Sequence, residues 1–208
     1  MNADLTFRIA LAGLLTVYAL IRLYYARLAV QSGSFFRPRR DVRQIVFGIV
    51  FTLSLVLMII YIVAPQRLVW AAFPLAACWR WFGIGLGMVS IFLLLWAHRS
   101  LGKNLSAPGV IKEKQSLVTA GPYQWVRHPI YTVIFLLGVA YFLVSANWII
   151  GVLWLGWIVG TVASMLPEEE AALIEKFGNE YQAYMQRTRA FLPRIFKPLK
   201  RNWNGGNP

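Results

Sequence analysis

Apolar residues are grouped into long runs that are separated by shorter polar intervals. Three of these runs occupy residues 5–30, 45–64 and 79–97, and the second contains no charged residue. A helix of about 20 apolar residues crosses the roughly 30 Å hydrocarbon core of a bilayer. The pattern therefore predicts three membrane-spanning helices in the first half of the chain.

The fourth run, residues 130–166, is too long for one crossing. It contains no charged residue, and a single helix of this length would rise about 55 Å at 1.5 Å per residue. Ser145, Ala146 and Asn147 form the natural break, and asparagine is a favourable residue at a helix N-terminus. We therefore expect two antiparallel helices here, which brings the prediction to five spans.

The composition also favours a membrane protein. Of the 208 residues, 58% are hydrophobic and 14% are charged, whereas soluble domains have roughly 25% charged residues. The first run carries Arg8, Arg22 and Arg27 and is followed by no small-residue cleavage pattern, so we expect a retained span rather than a signal peptide. The predicted fold class is all-α, an integral membrane bundle of five transmembrane helices.

Basic residues alternate between the polar intervals as the positive-inside rule requires. Lys and Arg number four in 31–44, one in 65–78, five in 98–129, none in 145–147 and seven from 167 onward. This alternation predicts an N-terminus outside the membrane, with both large loops and the C-terminus in the cytosol. The net charge of +13 is then explained by basic residues that lie at the membrane surface. The expected partner is the lipid bilayer, and no nucleic acid is expected.

The residues after the fourth run predict a cytosolic C-terminal amphipathic helix. Pro167 favours a first helical turn, and acidic residues follow it directly. One apolar stripe continues at Leu173, Ile174, Phe177, Tyr181 and Tyr184. We expect this helix to extend the fifth span or to bend away from it along the membrane surface. Residues 194–208 are expected to form a basic, flexible tail.

Few residues support metal-dependent or nucleophilic chemistry. His98 and His128 are expected on the same side of the membrane, but two histidines without a third ligand make a weak metal site, so none is predicted. No Ser or Cys is placed with a His and a carboxylate as in a catalytic triad. The spaced glycines of the third and fifth spans favour close helix packing.

The stretch that leads into the fourth run, residues 117–131, has the sequence LVTAGPYQWVRHPIY. Interface anchoring explains its arginine and histidine, but it does not require two prolines, a glycine and two tyrosines. The three glutamates at 168–170 could simply be favourable charges at a helix N-terminus. Together, the aromatic rings and the carboxylates would instead form a pocket for a cationic, partly apolar small molecule.

These residues resemble the isoprenylcysteine carboxyl methyltransferase family, whose wider relatives include the phospholipid methyltransferases. The resemblance is carried by VTAGPYQWVRHPIY, then EE-x-x-L-x-x-x-FG-x-x-Y-x-x-Y and a short basic segment that ends in LP. The combination of RHP-x-Y with the paired glutamates is more specific than either motif alone. The resemblance covers residues 79–193 and implies a catalytic core there, with three transmembrane helices, a cofactor loop and the C-terminal helix. Residues 1–78 hold the two N-terminal transmembrane helices, which match the family only in being apolar.

The resemblance implies an S-adenosylmethionine-dependent methyltransferase whose lipophilic acceptor reaches the cytosolic end of the last helices from the bilayer. The acceptor would be the carboxylate of a prenylcysteine-like substrate. The cofactor-binding residues carried over by position are Lys112, Gln115, Leu117, Val118, Tyr123, His128, Pro129, Tyr131 and Glu169. Arg127 and Glu170 would be the catalytic pair, as supporting or substrate-facing groups.

The acceptor side departs from the family pattern. Family members tend to have an arginine about one turn before the glutamate pair, and this chain has Met165 there. Arg187 and Arg189 are therefore the candidate substrate-binding residues. Two rival functions stay open. The same fold could methylate a phospholipid amine or a small thiol, and an amine acceptor would need a general base, for which His128 or a glutamate would serve. Alternatively, a non-catalytic protein could bind anionic lipid through its basic loops.

Overall fold

The computed structural model describes residues 3–31, 42–104 and 115–194. In these ranges the chain forms six α-helices, which are α1 (Ala3–Gln31), α2 (Val42–Val63), α3 (Ala77–Leu101), α4 (Pro129–Ser145), α5 (Trp148–Phe177) and α6 (Asn179–Arg187). Short 3-10 turns lie at Pro65–Ala71, Gly102–Asn104 and Gly121–Gln124. The predicted all-α class is confirmed for this part of the chain. Residues 195–208, most of the predicted tail, lie outside it.

Four helices, α1, α2, α3 and α5, are long and apolar enough to cross a membrane. The first three coincide with the predicted spans to within a few residues at each end. Helix α4 has 17 residues and falls below the length of the other four. The structure therefore supports an integral membrane protein, whereas a fifth span stays a prediction.

The predicted break between the fourth and fifth helices is confirmed. Ala146 adopts a left-handed conformation, with φ 46°, and ends α4. Asn147 Oδ1 accepts a hydrogen bond from the backbone N–H of Ile150 at 3.4 Å, and its Nδ2 donates to the carbonyl oxygen of Leu68 at 3.1 Å. This one side chain therefore starts α5 and ties the turn to the segment that follows α2.

Helix α4 forms the centre of the bundle, packed against both α3 and α5. Tyr141 of α4 is fully buried and meets the ring of Trp154 in α5 edge-on, with 4.9 Å between the ring centroids. A Cβ at Gly83 of α3 would come within 2.8 Å of Leu143 Cβ. Glycine at this position therefore permits the close approach of α3 and α4, as expected for part of the glycine pattern.

Arg80 joins four helices at the end of the bundle where α4 finishes. Its Nη1 bonds Asp4 at 2.7 Å, its Nη2 donates to the hydroxyl of Tyr61 at 3.1 Å, and its Nε donates to the carbonyl oxygen of Val144 at 3.1 Å. The guanidinium also lies 3.9 Å from the centroid of the Phe7 ring. These contacts satisfy the arginine, so this cluster is structural.

Pro167 lies inside α5 and does not begin a separate tail helix, so of the two expected arrangements the structure has the extension of the fifth span. Helix α5 continues to Phe177 and ends at Gly178, which has φ 51°. A proline inside a helix costs roughly 3 kcal/mol, because it removes a backbone hydrogen bond. The glutamates that follow it bind residues of other elements, which offsets this cost. The apolar stripe of the tail is consequently divided between α5 and α6.

Candidate active site

Two proline-containing turns shape the segment that leads into α4. Gly121 has φ 63°, and a Cβ there would lie 2.5 Å from Ser100 Oγ, so the turn requires glycine. Pro122 follows in the 3-10 turn Gly121–Gln124. Pro129 is the first residue of α4, where the backbone N–H that it lacks would have no helical partner. His128 is thereby held at the N-terminus of α4.

The chain beyond α6 returns to this segment and pairs with it. The backbone N–H of Arg127 donates to the carbonyl oxygen of Arg189 at 2.9 Å, and that of His128 donates to Ala190 at 3.0 Å. The two stretches run parallel at this point. Backbone hydrogen bonds therefore fix the residues immediately before Pro129 against the end of the described chain.

Glu170 of α5 is bound by the two residues that precede Pro129. Its Oε1 accepts from Arg127 Nε at 3.1 Å and Nη2 at 2.7 Å, and lies 3.2 Å from His128 Nε2. Arg127 Nη1 also donates to the carbonyl oxygen of Thr188. Because the Arg127 and Glu170 side chains are only 10% and 19% exposed, the ion pair is largely removed from solvent.

Glu169 faces a different set of groups. Its Oε2 accepts a hydrogen bond from the Tyr131 hydroxyl at 2.8 Å, and its Oε1 lies 3.9 Å from His128 Nδ1. The rings of His128 and Tyr131 are stacked, with centroids 5.9 Å apart. The Glu169 side chain is 30% exposed, so part of the carboxylate is accessible. Glu168 points elsewhere, 3.9 Å from Arg43 at the surface.

Tyrosines of the turn and of α6 surround these carboxylates. The hydroxyl of Tyr184 donates to the carbonyl oxygen of Tyr123, which ties α6 to the turn. The hydroxyl of Tyr181 is buried near Glu170 and forms no hydrogen bond of good geometry with the described residues. Burial, followed by the charge of Glu170, raises the pKa of Tyr181 to about 12. Burial raises the pKa of Tyr123 well above its usual value, so both phenols are neutral at physiological pH.

The structure brings most of the predicted cofactor-binding and catalytic residues to one end of the bundle. Those that meet there are Tyr123, Arg127, His128, Pro129, Tyr131, Glu169 and Glu170. Gln115, Leu117 and Val118 are half-buried in the extended stretch that leads to Gly121. Lys112 lies outside the described residues. No role of these residues is established by their position alone, so the assignments stay proposals.

The two candidate substrate-binding arginines are exposed. Arg187 Nε donates to the carbonyl oxygen of Ala183 within α6 at 3.2 Å. Arg189 contributes its backbone carbonyl to the pairing with Arg127. In the described part of the chain neither side chain forms an ion pair with Glu169 or Glu170.

Two residues of the site were not predicted from the sequence. Tyr181 lies in the motif FG-x-x-Y, and that motif was the available signal for its buried hydroxyl. Phe191 lies with its ring centroid 6.2 Å from that of His128. Nothing in the sequence around Phe191 indicates this contact, which depends on the return of the chain after α6.

The arrangement fits the cofactor that the sequence resemblance implies. S-adenosylmethionine carries a sulfonium cation, and cations are held well by carboxylates and aromatic faces. Glu169 offers an accessible carboxylate beside the rings of Tyr131 and His128, and the Tyr181 hydroxyl is a buried polar group without a protein partner of good geometry in the described residues. These groups are suited to a ligand that is both cationic and rich in hydrogen-bonding atoms.

Comparison with known proteins identifies relatives of this core. A family model described as phospholipid methyltransferase matches residues 78–180. Protein-S-isoprenylcysteine O-methyltransferase of Mus musculus is 35% identical over 83 residues, which are 40% of this chain and 29% of the relative. The proteins of the same name from Rattus norvegicus and Homo sapiens match with the same identity and coverage. The chain thus matches less than a third of the length of these curated relatives.

A solved structure shares the fold. The structure of the eukaryotic intramembrane Ras methyltransferase, an isoprenylcysteine carboxyl methyltransferase, matches with a TM-score of 0.60 at 18% sequence identity. The match covers 94% of this chain and 69% of that chain, so it includes α1 and α2 as well as the core. The RHP-x-Y and paired-glutamate motifs lie within the residues that the family model matches. Over residues 78–180 this chain matches the phospholipid methyltransferase family model, and it is similar in sequence to protein-S-isoprenylcysteine O-methyltransferases.

Proposed function

We propose that this protein is an S-adenosylmethionine-dependent methyltransferase that esterifies the carboxylate of a prenylcysteine-like, lipophilic acceptor. The observation that carries the proposal is the unequal use of two adjacent carboxylates. Glu170 is engaged by Arg127 and His128, whereas Glu169 hydrogen-bonds Tyr131 and stays partly exposed. One carboxylate therefore holds the structure together, and the other is available to a cationic ligand. Similarity to relatives named as O-methyltransferases supports this function.

The proposed cofactor site lies between the turn at Gly121, the start of α4 and Glu169. His128 and Tyr131 would lie beside the body of the cofactor, and Glu169 would bind its charged or hydroxylated groups. The residues proposed to complete the site are Lys112, Gln115, Leu117, Val118, Tyr123 and Pro129. When bound, S-adenosylmethionine supplies a methyl group that is activated by its positively charged sulfur. Partial burial of Glu169 strengthens its attraction for such a charge.

A carboxylate acceptor places modest demands on the protein. It is already ionised at neutral pH, so no side chain has to remove a proton from it. The chain has to align the acceptor oxygen and exclude water. Arg127 and Glu170 would then serve as positioning residues, because their ion pair fixes His128 and the backbone after α6 around the site.

We further propose that α4 is a fifth span and that the site faces the cytosol. At 1.5 Å per residue, 17 residues make about 25 Å of helix, slightly less than the hydrocarbon core. Burial of α4 between α3 and α5 supports a crossing inside the bundle. The distribution of Lys and Arg supports an N-terminus outside, with the C-terminus and the site in the cytosol.

The direct test uses the purified protein in lipid nanodiscs with methyl-labelled S-adenosylmethionine and N-acetyl-S-farnesylcysteine. We expect a methyl ester, which releases labelled methanol in base. Glu169→Gln should lose most of this product, whereas Glu175→Gln, the same change at an exposed position of α5, should not. A wild-type protein that neither binds the cofactor by calorimetry nor forms the ester would overturn the proposal.

A phospholipid amine is the second candidate acceptor, because the matching family model is described as phospholipid methyltransferase. Methyl transfer to an amine requires a general base, and His128 is the candidate for this role within the proposed cofactor site. When the protein is incubated with phosphatidylethanolamine, the label would then be in an N-methyl group, which survives base treatment and releases no methanol. Comparing base-labile with base-stable label in one reaction separates the two acceptors.

A further inference from the structure

Arg22 of α1 occupies a position that faces the core of the bundle. The buried residues of α1 recur every three or four positions, at Leu11, Leu14, Tyr18, Tyr25 and Ala29. Position 22 completes this stripe, and Arg22 itself is half-buried, whereas the adjacent Leu23 is exposed. Ionisable residues on the inner side of a membrane-spanning helix are costly and usually mark a functional site.

Neutral side chains hold the guanidinium of Arg22. Its Nη1 lies 3.4 Å from Nε2 of His98, and it also interacts with the hydroxyl of Tyr18. His98 is buried, and its Nδ1 lies 2.8 Å from the carbonyl oxygen of Leu94. Because a carbonyl oxygen only accepts and a guanidinium only donates, Nδ1 carries the proton and Nε2 accepts from Arg22. His98 is therefore neutral and does not neutralise Arg22.

No carboxylate neutralises Arg22 in residues 3–31, 42–104 and 115–194. The ion pairs found in these ranges use Arg43, Arg80, Arg127 and His128 as their basic partners. An arginine has five N–H donors, and the contacts with two neutral side chains leave donors available. The positive charge of Arg22 can therefore serve an anion that does not belong to the described chain.

Arg22 lies beside the candidate active site. Helix α1 packs against α3 and α4, and Arg22 contacts His98, two residues before Ser100, which faces the turn at Gly121. The hydroxyl of Tyr131 donates to Glu169 on α5. A cation on α1 and a carboxylate on α5 therefore lie at the same end of the bundle. An anionic group that reaches Tyr131 from the bilayer along α1 meets the positive charge.

We propose that Arg22 binds the carboxylate of the lipophilic acceptor and that α1 forms one wall of the acceptor's entrance. This inference rests on the proposed function, because that carboxylate is the group to be methylated. Arginine holds carboxylates with paired, charge-assisted hydrogen bonds. Opposite charges on Arg22 and Glu169 would direct the anionic acceptor and the cationic cofactor to neighbouring positions. His98 and Tyr18 are positioning residues for the guanidinium.

The test compares Arg22→Gln with Arg27→Gln, the same change at an exposed position of α1. With N-acetyl-S-farnesylcysteine, the KM of the acceptor should rise about 10- to 100-fold for Arg22→Gln, the usual range for losing a charge-assisted hydrogen bond. The KM of Arg27→Gln should stay unchanged. The dissociation constant of S-adenosylmethionine, measured by calorimetry, should be the same in both variants and in the wild type.

A second readout does not depend on turnover. Equilibrium dialysis in nanodiscs compares binding of N-acetyl-S-farnesylcysteine with binding of its methyl ester, in the absence of cofactor. The wild type should prefer the free carboxylate about tenfold or more, and Arg22→Gln should lose this preference. Should Arg22→Gln not fold, Arg22→Lys carries the comparison, because lysine keeps the charge but loses the paired donors. A preference that is unchanged in the folded variant overturns the role of Arg22.

The outcomes separate this inference from the function on which it rests. A wild type that methylates the acceptor, with an unchanged acceptor KM in Arg22→Gln, overturns the role of Arg22 and leaves the function intact. A variant that loses affinity for S-adenosylmethionine alone assigns Arg22 to the cofactor and also overturns the inference. A wild type that binds no cofactor refutes the function itself.

Discussion

The hydroxyl of Tyr131 donates a hydrogen bond of 2.8 Å to Glu169, a residue 38 positions later in the sequence. The bond joins the first turn of α4 to the part of α5 that follows Pro167. It orients a partly exposed carboxylate beside the stacked rings of His128 and Tyr131. The position of Glu169 therefore depends on a second helix as well as on its own.

Removing either partner of this bond should weaken cofactor binding. A hydrogen bond to a charged group contributes about 1.5 to 3 kcal/mol, so Tyr131→Phe and Glu169→Gln should each raise the dissociation constant of S-adenosylmethionine about 10- to 100-fold. In calorimetry, the double variant should lose less binding free energy for S-adenosylmethionine than the two single variants lose together, because the two residues are in contact. Tyr24→Phe, at an exposed position of α1, is the control. Strictly additive effects would contradict direct coupling.

Breaking the Arg127–Glu170 pair should destabilise the folded protein. Arg127→Gln would leave the mostly buried carboxylate of Glu170 without the opposite charge of its partner. Removing one partner of a buried ion pair typically costs about 3 to 5 kcal/mol. The thermal unfolding midpoint in detergent should fall clearly. Arg43→Gln is the matched control, because its pair with Glu168 is 60% and 53% exposed and such pairs contribute about 0 to 1 kcal/mol. Equal midpoints in the two variants would show that Arg127 has no structural role.

Gly121→Ala should disturb the turn before α4. The new Cβ would meet Ser100 Oγ, and alanine disfavours the φ of 63° at this position by roughly 1 to 2 kcal/mol. We expect a lower unfolding midpoint and weaker cofactor binding. Gly85→Ala in α3 is the control, because a Cβ there has no neighbour within 4 Å among the described residues. Full cofactor affinity in Gly121→Ala would show that the turn does not contribute to cofactor binding.

The orientation of the bundle can be tested with the natural cysteine. Cys78 is the single cysteine of the sequence, and it is exposed near the N-terminal end of α3. In the proposed orientation a membrane-impermeant maleimide should label it from outside intact cells. In a Cys78→Ser background, Thr119→Cys should react only after permeabilisation, because position 119 is exposed at the other end of the bundle. The reverse labelling would place the site outside the cytosol.

Hydrophobic patterning predicted the helices well, because a run of apolar residues is by itself a signal that the segment is buried or faces lipid. It also located the turn at Ser145, Ala146 and Asn147, where a short polar capping residue interrupts an apolar run. The continuation of α5 through Pro167 was one of two arrangements that the sequence left open. Local preference favours a proline at a helix start, but partners on other elements fix the glutamates that follow it.

The motifs predicted which residues approach the site but not how they divide their roles. The engagement of Glu170 by Arg127 and His128, with Glu169 left partly exposed, depends on the rotation of α5 against α4, which sequence spacing does not determine. The inward position of Arg22 was not predicted from the sequence and follows from the stripe of buried residues in α1. Its contact with His98 was not predictable either, because the two residues are 76 positions apart and meet only through helix packing.

The pairing of Arg127 and His128 with Arg189 and Ala190 bears on the order in which the protein matures. The residues that complete this pairing follow all six described helices in the sequence. A ribosome therefore delivers all of the described membrane helices before it delivers the backbone groups that fix the start of α4. Insertion into the membrane can precede formation of the site, and a nascent chain released before residue 190 would contain the helices but lack the bonds that hold His128.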